Sequence, residues 1–225
     1  MHSWRRLELR RCTPVSHLKD CRRCLRLTHH LDEIRAEHPD WYNAPVPATG
    51  PEDAALLIVG LAPGKKGANR TGVPFLGDPS SNWLRDRLTD AGLIDNKGRL
   101  QGVRITNAVK CLPPHNRPNS AEIRTCTDAW LTDELKAPGL RTVLCLGAVA
   151  HRAVCNALGI RLKDHRFYHG ACHPHASLLL LSSFHPSPLN TQTGRLSAAE
   201  FDAVLRHSLD GDGAPSNQIT PASQS

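Results

Sequence analysis

Three groups of side chains have the types and spacing for chemistry. Cys21 and Cys24 form a C-x2-C pair, and Cys111 and Cys126 lie far downstream. Such a pattern points to metal ligation first and redox chemistry second. The second group is a loop running Gly60-Leu61-Ala62-Pro63-Gly64, then Lys65, Lys66, Gly67, Ala68, Asn69, Arg70, Thr71 and Gly72. Its four glycines and two lysines allow the backbone to approach an anion or a flat ring closely. It lacks the G-K-S/T ending of a P-loop, and an ordinary strand-to-helix loop would look much the same. The third group is polar. Asn107 precedes a proline-rich loop that carries Cys111 and Asn116, and His185 stands in Ser183-Phe184-His185-Pro186-Ser187. A lone histidine in a loop says little by itself.

The elements that must position these residues alternate. Residues 54–61 form a continuous apolar run ended by Pro63-Gly64, the pattern of a strand buried on both faces. Ser80 or Ser81 can cap a helix through Asp90, which Gly92 closes. Residues 103–109 are β-branched and read as a strand. Asn119 with Glu122 resembles a capping box and opens a helix to about Lys136. Residues 142–146 are a strand, 147–158 a helix, 177–183 a strand, and Ser197 caps a last helix to about Leu209. Four strand–helix alternations predict a three-layer α/β/α fold with a central four-stranded parallel sheet. Ligands of such sheets bind beyond the carboxyl ends of the strands, where the glycine loop, Asn107 and His185 all fall. Before this core, residues 1–53 are read as an N-terminal metal-binding segment and linker of the same domain, with a helical pattern from about Leu18 to Glu37. The core spans 54–210, and 211–225 is read as a disordered tail.

Composition narrows the classes. The 225 residues are 40% hydrophobic and 22% charged, which excludes a mostly disordered chain. No apolar run approaches the ~20 residues of a membrane span. The N-terminus has no apolar stretch after its basic residues, so it does not read as a secretory signal. A cytoplasmic, monomeric protein with no membrane partner is expected, and its cysteines are not expected to form disulfides. The net charge of +7 favours an acidic partner, nucleic acid being the commonest. Cys145 and Cys155 suit small core positions, Cys12 could replace one of the four ligands, and His169–His175 reads as a solvated loop.

Taken in order, GLAPG…NRTG…PFLGD, TNAVKC-x-PP-x-N and HPS-x-x-N-x-x-TGRL resemble the uracil-DNA glycosylase superfamily, and within it the iron–sulfur branches. The residue after Gly60 is Leu61, where the family-4 branch carries an acid, and the surrounding motif is similar to the family-5 (type B) branch. The resemblance covers about Cys21 to Leu209. It implies that Cys21, Cys24, Cys111 and Cys126 hold a [4Fe-4S] cluster, although four thiolates would equally hold a structural zinc.

The resemblance implies removal of uracil, and of other deaminated bases such as hypoxanthine, from DNA by monofunctional hydrolysis, which initiates base excision repair. Cutting the glycosidic bond needs the base out of the stack. His185 would then stabilise charge on the leaving base by hydrogen bonding. Asn107 can accept from uracil N3–H and donate to O4, the pattern opposite to that of cytosine. Phe75 matches the family's stacking residue, though it also suits a core position. Asp78 matches the acidic residue of the type B branch, as water activator or oxocarbenium stabiliser; it also suits a helix N-terminus. Asn116 is a second polar candidate. The backbone of Gly60, Leu61, Ala62 and Gly64 would line the base and its water. Lys65, Lys66, Arg70, Lys110, Arg117 and Arg195 would meet phosphates, as would Ser187, and Pro188 and Leu189 would wedge into the gap left by the flipped base. The rival reading is a zinc-stabilised nucleic-acid-binding module without catalysis.

Overall fold

The computed structural model describes residues 17–210. The expectations for Cys12 and for the tail 211–225 lie outside the described residues. In chain order the elements are α1 (Leu25–Glu37), β1 (Leu56–Gly60), α2 (Ala68–Thr71), α3 (Pro79–Asp90), β2 (Val103–Asn107) and α4 (Ser120–Cys126). A π-helical turn (Thr127–Leu131) leads into α5 (Thr132–Glu134). Then come β3 (Thr142–Leu146), α6 (Ala148–Ala157), β4 (Cys172–His175), β5 (Leu178–Ser183), α7 (Pro188–Gln192) and α8 (Ala198–Asp210).

The sheet has five strands in the order β2-β1-β3-β5-β4. Four are parallel, as the alternation predicts, but β4 pairs antiparallel with β5 through Cys172↔Leu181 to His175↔Leu178. The predicted count of four is therefore one short. The missed strand, Cys-His-Pro-His, has no apolar alternation, and Pro174 argues against a central strand. Both are tolerable at an edge, where one side of the backbone has no ladder to complete.

Strand alternation builds two cores. On β1, Leu56 and Ile58 join Leu84, Leu88, Phe201 and Val204 from α3 and α8. Leu57 and Val59 face the other way, toward Leu131, Ala150, Ala153 and Val154 of the π-turn and α6. A third cluster sets Leu27, Leu31 and Ile34 of α1 against Val109, Cys111, Leu112 and Cys126. Each large apolar side chain buried in this way is worth ~1.5–3 kcal/mol.

The helix predicted from Leu18 to Glu37 is broken. A 3-10 turn at Leu18–Asp20 ends where Cys21 turns extended, and α1 starts only after extended Cys24. The break brings both cysteines to one cavity. The cap of α3 is also not a serine. Asp78 is the N-cap, accepting from Ser81 N–H at 2.9 Å and Ser81 Oγ–H at 2.7 Å, with Pro79 pre-set for the first turn. The Asn119–Glu122 capping box forms as read. Among the described residues no helix is long and apolar enough to cross a membrane.

Candidate active site and metal centre

Parallel pairing sets Gly60 beside Asn107 at the carboxyl ends of β1 and β2. Asn107 is buried. A Cβ on Gly60 would collide with Asn107 Oδ1 and lie 2.7 Å from the Phe75 ring. Only glycine leaves room for both side chains at the end of β1. Phe75 holds a left-handed backbone, φ +50°. A bulky residue there is strained, and surrounding structure must hold it. Its ring is buried at the edge of the α3–α8 core and lies 6.0 Å from the His185 ring, tilted by 35°.

His185 follows β5 and is half-buried. Its carbonyl accepts from Asn190 Nδ2 at 2.8 Å and Ser187 N–H at 2.8 Å, which pins the turn into α7. Burial lowers the imidazole pKa, and the nearby Asp78 charge partly opposes this. The net shift is downward, so the neutral ring dominates at pH 7. Asp78 spends one oxygen on capping α3. The other points at the glycine loop: a Cβ on Gly67 would collide with Asp78 Oδ2, and one on Gly64 would lie 3.0 Å from it. The glycines of this loop thus make room for a carboxylate of the chain itself.

An amide, a flat ring, an imidazole and a carboxylate therefore gather beyond β1, β2 and β5. Leu61, Ala62 and Gly64 are partly exposed along this edge. Asn116 stands apart. It is exposed, in a turn where both His115 and Asn116 are left-handed, φ +55° and +56°.

The four cysteines line one small cavity together with Lys110, Trp130 and Leu27. All four are free thiols. Burial pushes the Cys111 thiol well up, and the other three cysteines push it further. Burial likewise raises Cys126 to about 11, against a lowering by Lys110, whose backbone N–H donates to its Sγ at 3.2 Å. Four mutually repelling sulfurs in a buried cavity are poor thiolates alone and good ligands around a cation. Trp130 Nε1 is buried without a hydrogen-bond partner, a donor that lacks an acceptor. The donor set and the orphan N–H both fit a thiolate-held metal group. Among the described residues, no three His, Cys, Asp or Glu side chains gather closely enough to hold a single ion.

The chain matches the Uracil DNA glycosylase superfamily over residues 47–208. It belongs to that superfamily. The type-5 uracil-DNA glycosylase of Thermus thermophilus is 42% identical over 205 residues, covering 85% of this chain and 93% of the relative. That of Pyrobaculum aerophilum is 39% identical over 204 residues, covering 85% and 89%. That of Mycobacterium leprae is 40% identical over 205 residues, covering 83% and 89%.

The basic residues of this superfamily member divide into several kinds. Lys66 and Arg117 are exposed. Lys65 pairs with Glu37 at 3.1 Å. Arg70 braces the glycine loop, donating to the carbonyls of Lys66 at 2.9 Å and Gly77 at 3.3 Å. Arg195 packs over the Phe184 ring at 4.5 Å. Lys110 is a correction. It is fully buried, donates to Thr106 Oγ1 and to both Glu134 oxygens at 2.8 Å, and meets no phosphate. The sequence reading placed it on an open loop, and nothing local marks Glu134 as its partner. Ser187 is the N-cap of α7, Pro188 begins that helix, and Leu189 is 72% exposed. The segment read as a solvated loop, His169–His175, instead enters β4, and His169 stacks on Phe184.

Proposed function

We propose that this protein hydrolyses the N-glycosidic bond of uracil in DNA, the first step of base excision repair. The observation that carries this reading is the meeting of Asn107 and Phe75 over Gly60, with His185 and Asp78 on the same edge. An amide and a ring held by a glycine at van der Waals contact form a slot for a flat base flipped from the stack. Phe75 stacks on it, and Asn107 accepts from N3–H and donates to O4. His185, kept neutral by burial, donates to O2 as negative charge builds there. The free oxygen of Asp78 takes the water or faces the oxocarbenium, while backbone amides of Leu61–Gly64 line the base.

Lys66, Arg70, Arg117, Arg195 and Ser187 are the phosphate contacts, and Pro188 and exposed Leu189 are the wedge. Lys65 pairs with Glu37 and Lys110 with Glu134, Lys66 is exposed to meet phosphate, and none of the three stands out as a Schiff-base nucleophile. Water is therefore taken as the nucleophile and strand cleavage is not expected. Cys21, Cys24, Cys111 and Cys126 would hold a [4Fe-4S] cluster. Their convergence on one cavity supports a metal group held by four thiolates, and the resemblance to the iron–sulfur branches favours a cluster over zinc. When bound, the group joins the N-terminal segment to β2 and supplies no redox step. We read residues 17–210 as one domain, acting as a monomer in the cytoplasm on DNA.

The test is base release from duplex DNA bearing one uracil, with hypoxanthine DNA in parallel. Breaks that appear only after alkali are expected for uracil, and the hypoxanthine rate sets the breadth. No release from uracil by metal-loaded protein would overturn the reading.

A further inference from the structure

We infer that His169 is a positioning residue for His185, holding the end of β5 through the Phe184 backbone and ring. The inference rests on the reading of His185 as the donor to the leaving base.

The β5 ladder ends at Ser183, whose carbonyl accepts from Gly147 N–H at 2.8 Å. The next N–H, that of Phe184, lies past the ladder and donates to His169 Nδ1 at 3.3 Å. Ser183 Oγ lies 3.3 Å from the same nitrogen. The imidazole also stacks on the Phe184 ring, with centroids 5.3 Å apart and planes 26° apart. Arg195 packs over that ring as well. Phe184 is thus tied at its backbone and its side chain, one residue before His185. His169 is itself anchored: Gly170 N–H donates to the Ser182 carbonyl at 2.8 Å, extending the β4–β5 pairing up to the imidazole.

The role requires one tautomer. Nδ1 must be bare to accept, so Nε2 carries the proton. Burial lowers the His169 pKa, against an opposing Glu200 charge, and so favours the neutral ring. A residue that only filled space would need neither the acceptor nor the tautomer. A small displacement of His185 would weaken the hydrogen bond that forms as the base leaves, and it would leave substrate stacking on Phe75 untouched.

The experiment compares His169→Leu and His169→Asn in the full, metal-loaded chain by steady-state uracil release. Asn places an amide oxygen where Nδ1 stood, and Leu places nothing. The Leu variant should lose between about 10- and 100-fold in kcat, with KM within about twofold, and the Asn variant should recover most of the loss. If the Leu variant fails to fold, His169→Gln replaces it, since its acceptor sits one bond too far out, and the same loss is expected. Wild-type kcat without an acceptor, or equal losses in the variants with and without one, would overturn the inference. His185→Ala is run alongside. Undiminished turnover there would remove the donor role itself, a different failure from any involving His169.

Discussion

Replacing Asp78 by Asn separates the helix cap that this carboxylate makes from the water-placing role proposed for it. Its first oxygen caps α3 through two bonds from Ser81, at 2.9 and 2.7 Å. Loss of such a cap costs ~1 kcal/mol, equivalent to about 2–4 °C in melting temperature for a chain of this size. Its second oxygen touches no hydrogen-bond donor of α3 and lies against Gly64 and Gly67. A group that places or activates water contributes about 10²- to 10⁴-fold, or roughly 3–5 kcal/mol of barrier. Asparagine caps as well as aspartate, so Asp78→Asn should melt within about 1 °C of wild type. It should also lose at least about 100-fold in single-turnover uracil release. Asp78→Ala should lose both. The substitution also removes the charge that holds the His185 pKa up against burial. Since the wild-type value already lies below the ordinary imidazole range, it should fall further, and the His185 ring resonance should titrate at lower pH. Uracil release by Asp78→Asn within about threefold of wild type would reduce Asp78 to a helix cap, and the water would need another partner.

Two further substitutions test the packing around this site. Gly60→Ala pushes a methyl into Asn107 Oδ1 and the Phe75 ring. It should cost about 1–3 kcal/mol as an overpacked site and at least about 100-fold in kcat/KM, read by melting and uracil release. Lys110→Met leaves the Glu134 carboxylate without its partner beside the core. About 3 kcal/mol should be lost in urea unfolding, and Lys110→Met with Glu134→Leu should regain most of it, because the pair's own net worth is small.

The legible parts of the fold were those with a local cause. β1 is an unbroken apolar run, the Asn119–Glu122 box is a local hydrogen-bond pair, and residues 142–146 carry only strand formers. The three site segments were legible because a parallel sheet delivers its loops to one edge. What escaped was tertiary. Lys110 reads as a surface lysine until Glu134, 24 residues on, is folded against it. β4 has no strand pattern, and only pairing with β5 makes it one. Ser80 and Ser81 read as caps of α3, but the helix starts at Pro79, at least two residues earlier, and the cap is Asp78.

The cysteine-bearing segment and the sheet edge that carries Asn107 are mechanically one structure. Asn107 and Cys111 are four residues apart on the same chain, and between them the Lys110 ammonium is locked to α5 while the Lys110 N–H is bound to Cys126 Sγ. The Val46 N–H donates to the Lys110 carbonyl at 2.7 Å, so the linker from the N-terminal segment grips the same residue. Across the cavity, Arg26 of α1 holds Glu122 of α4 with two bonds, at 2.7 and 2.6 Å. Burial pushes the Glu122 carboxyl up, but Arg26 and the Asn119 N–H outweigh it and hold its pKa below the usual range. That stabilisation is present above the ordinary carboxylate pKa and fades as pH falls through the lowered one. Each of these ties has one end beside a cysteine and the other in the linker or in α4–α5. A group bound by the four thiolates would therefore stiffen the segment that follows Asn107 at the end of β2, without entering the chemistry. Such a role would account for four cysteines beside the proposed base reader of a reaction that moves no electrons.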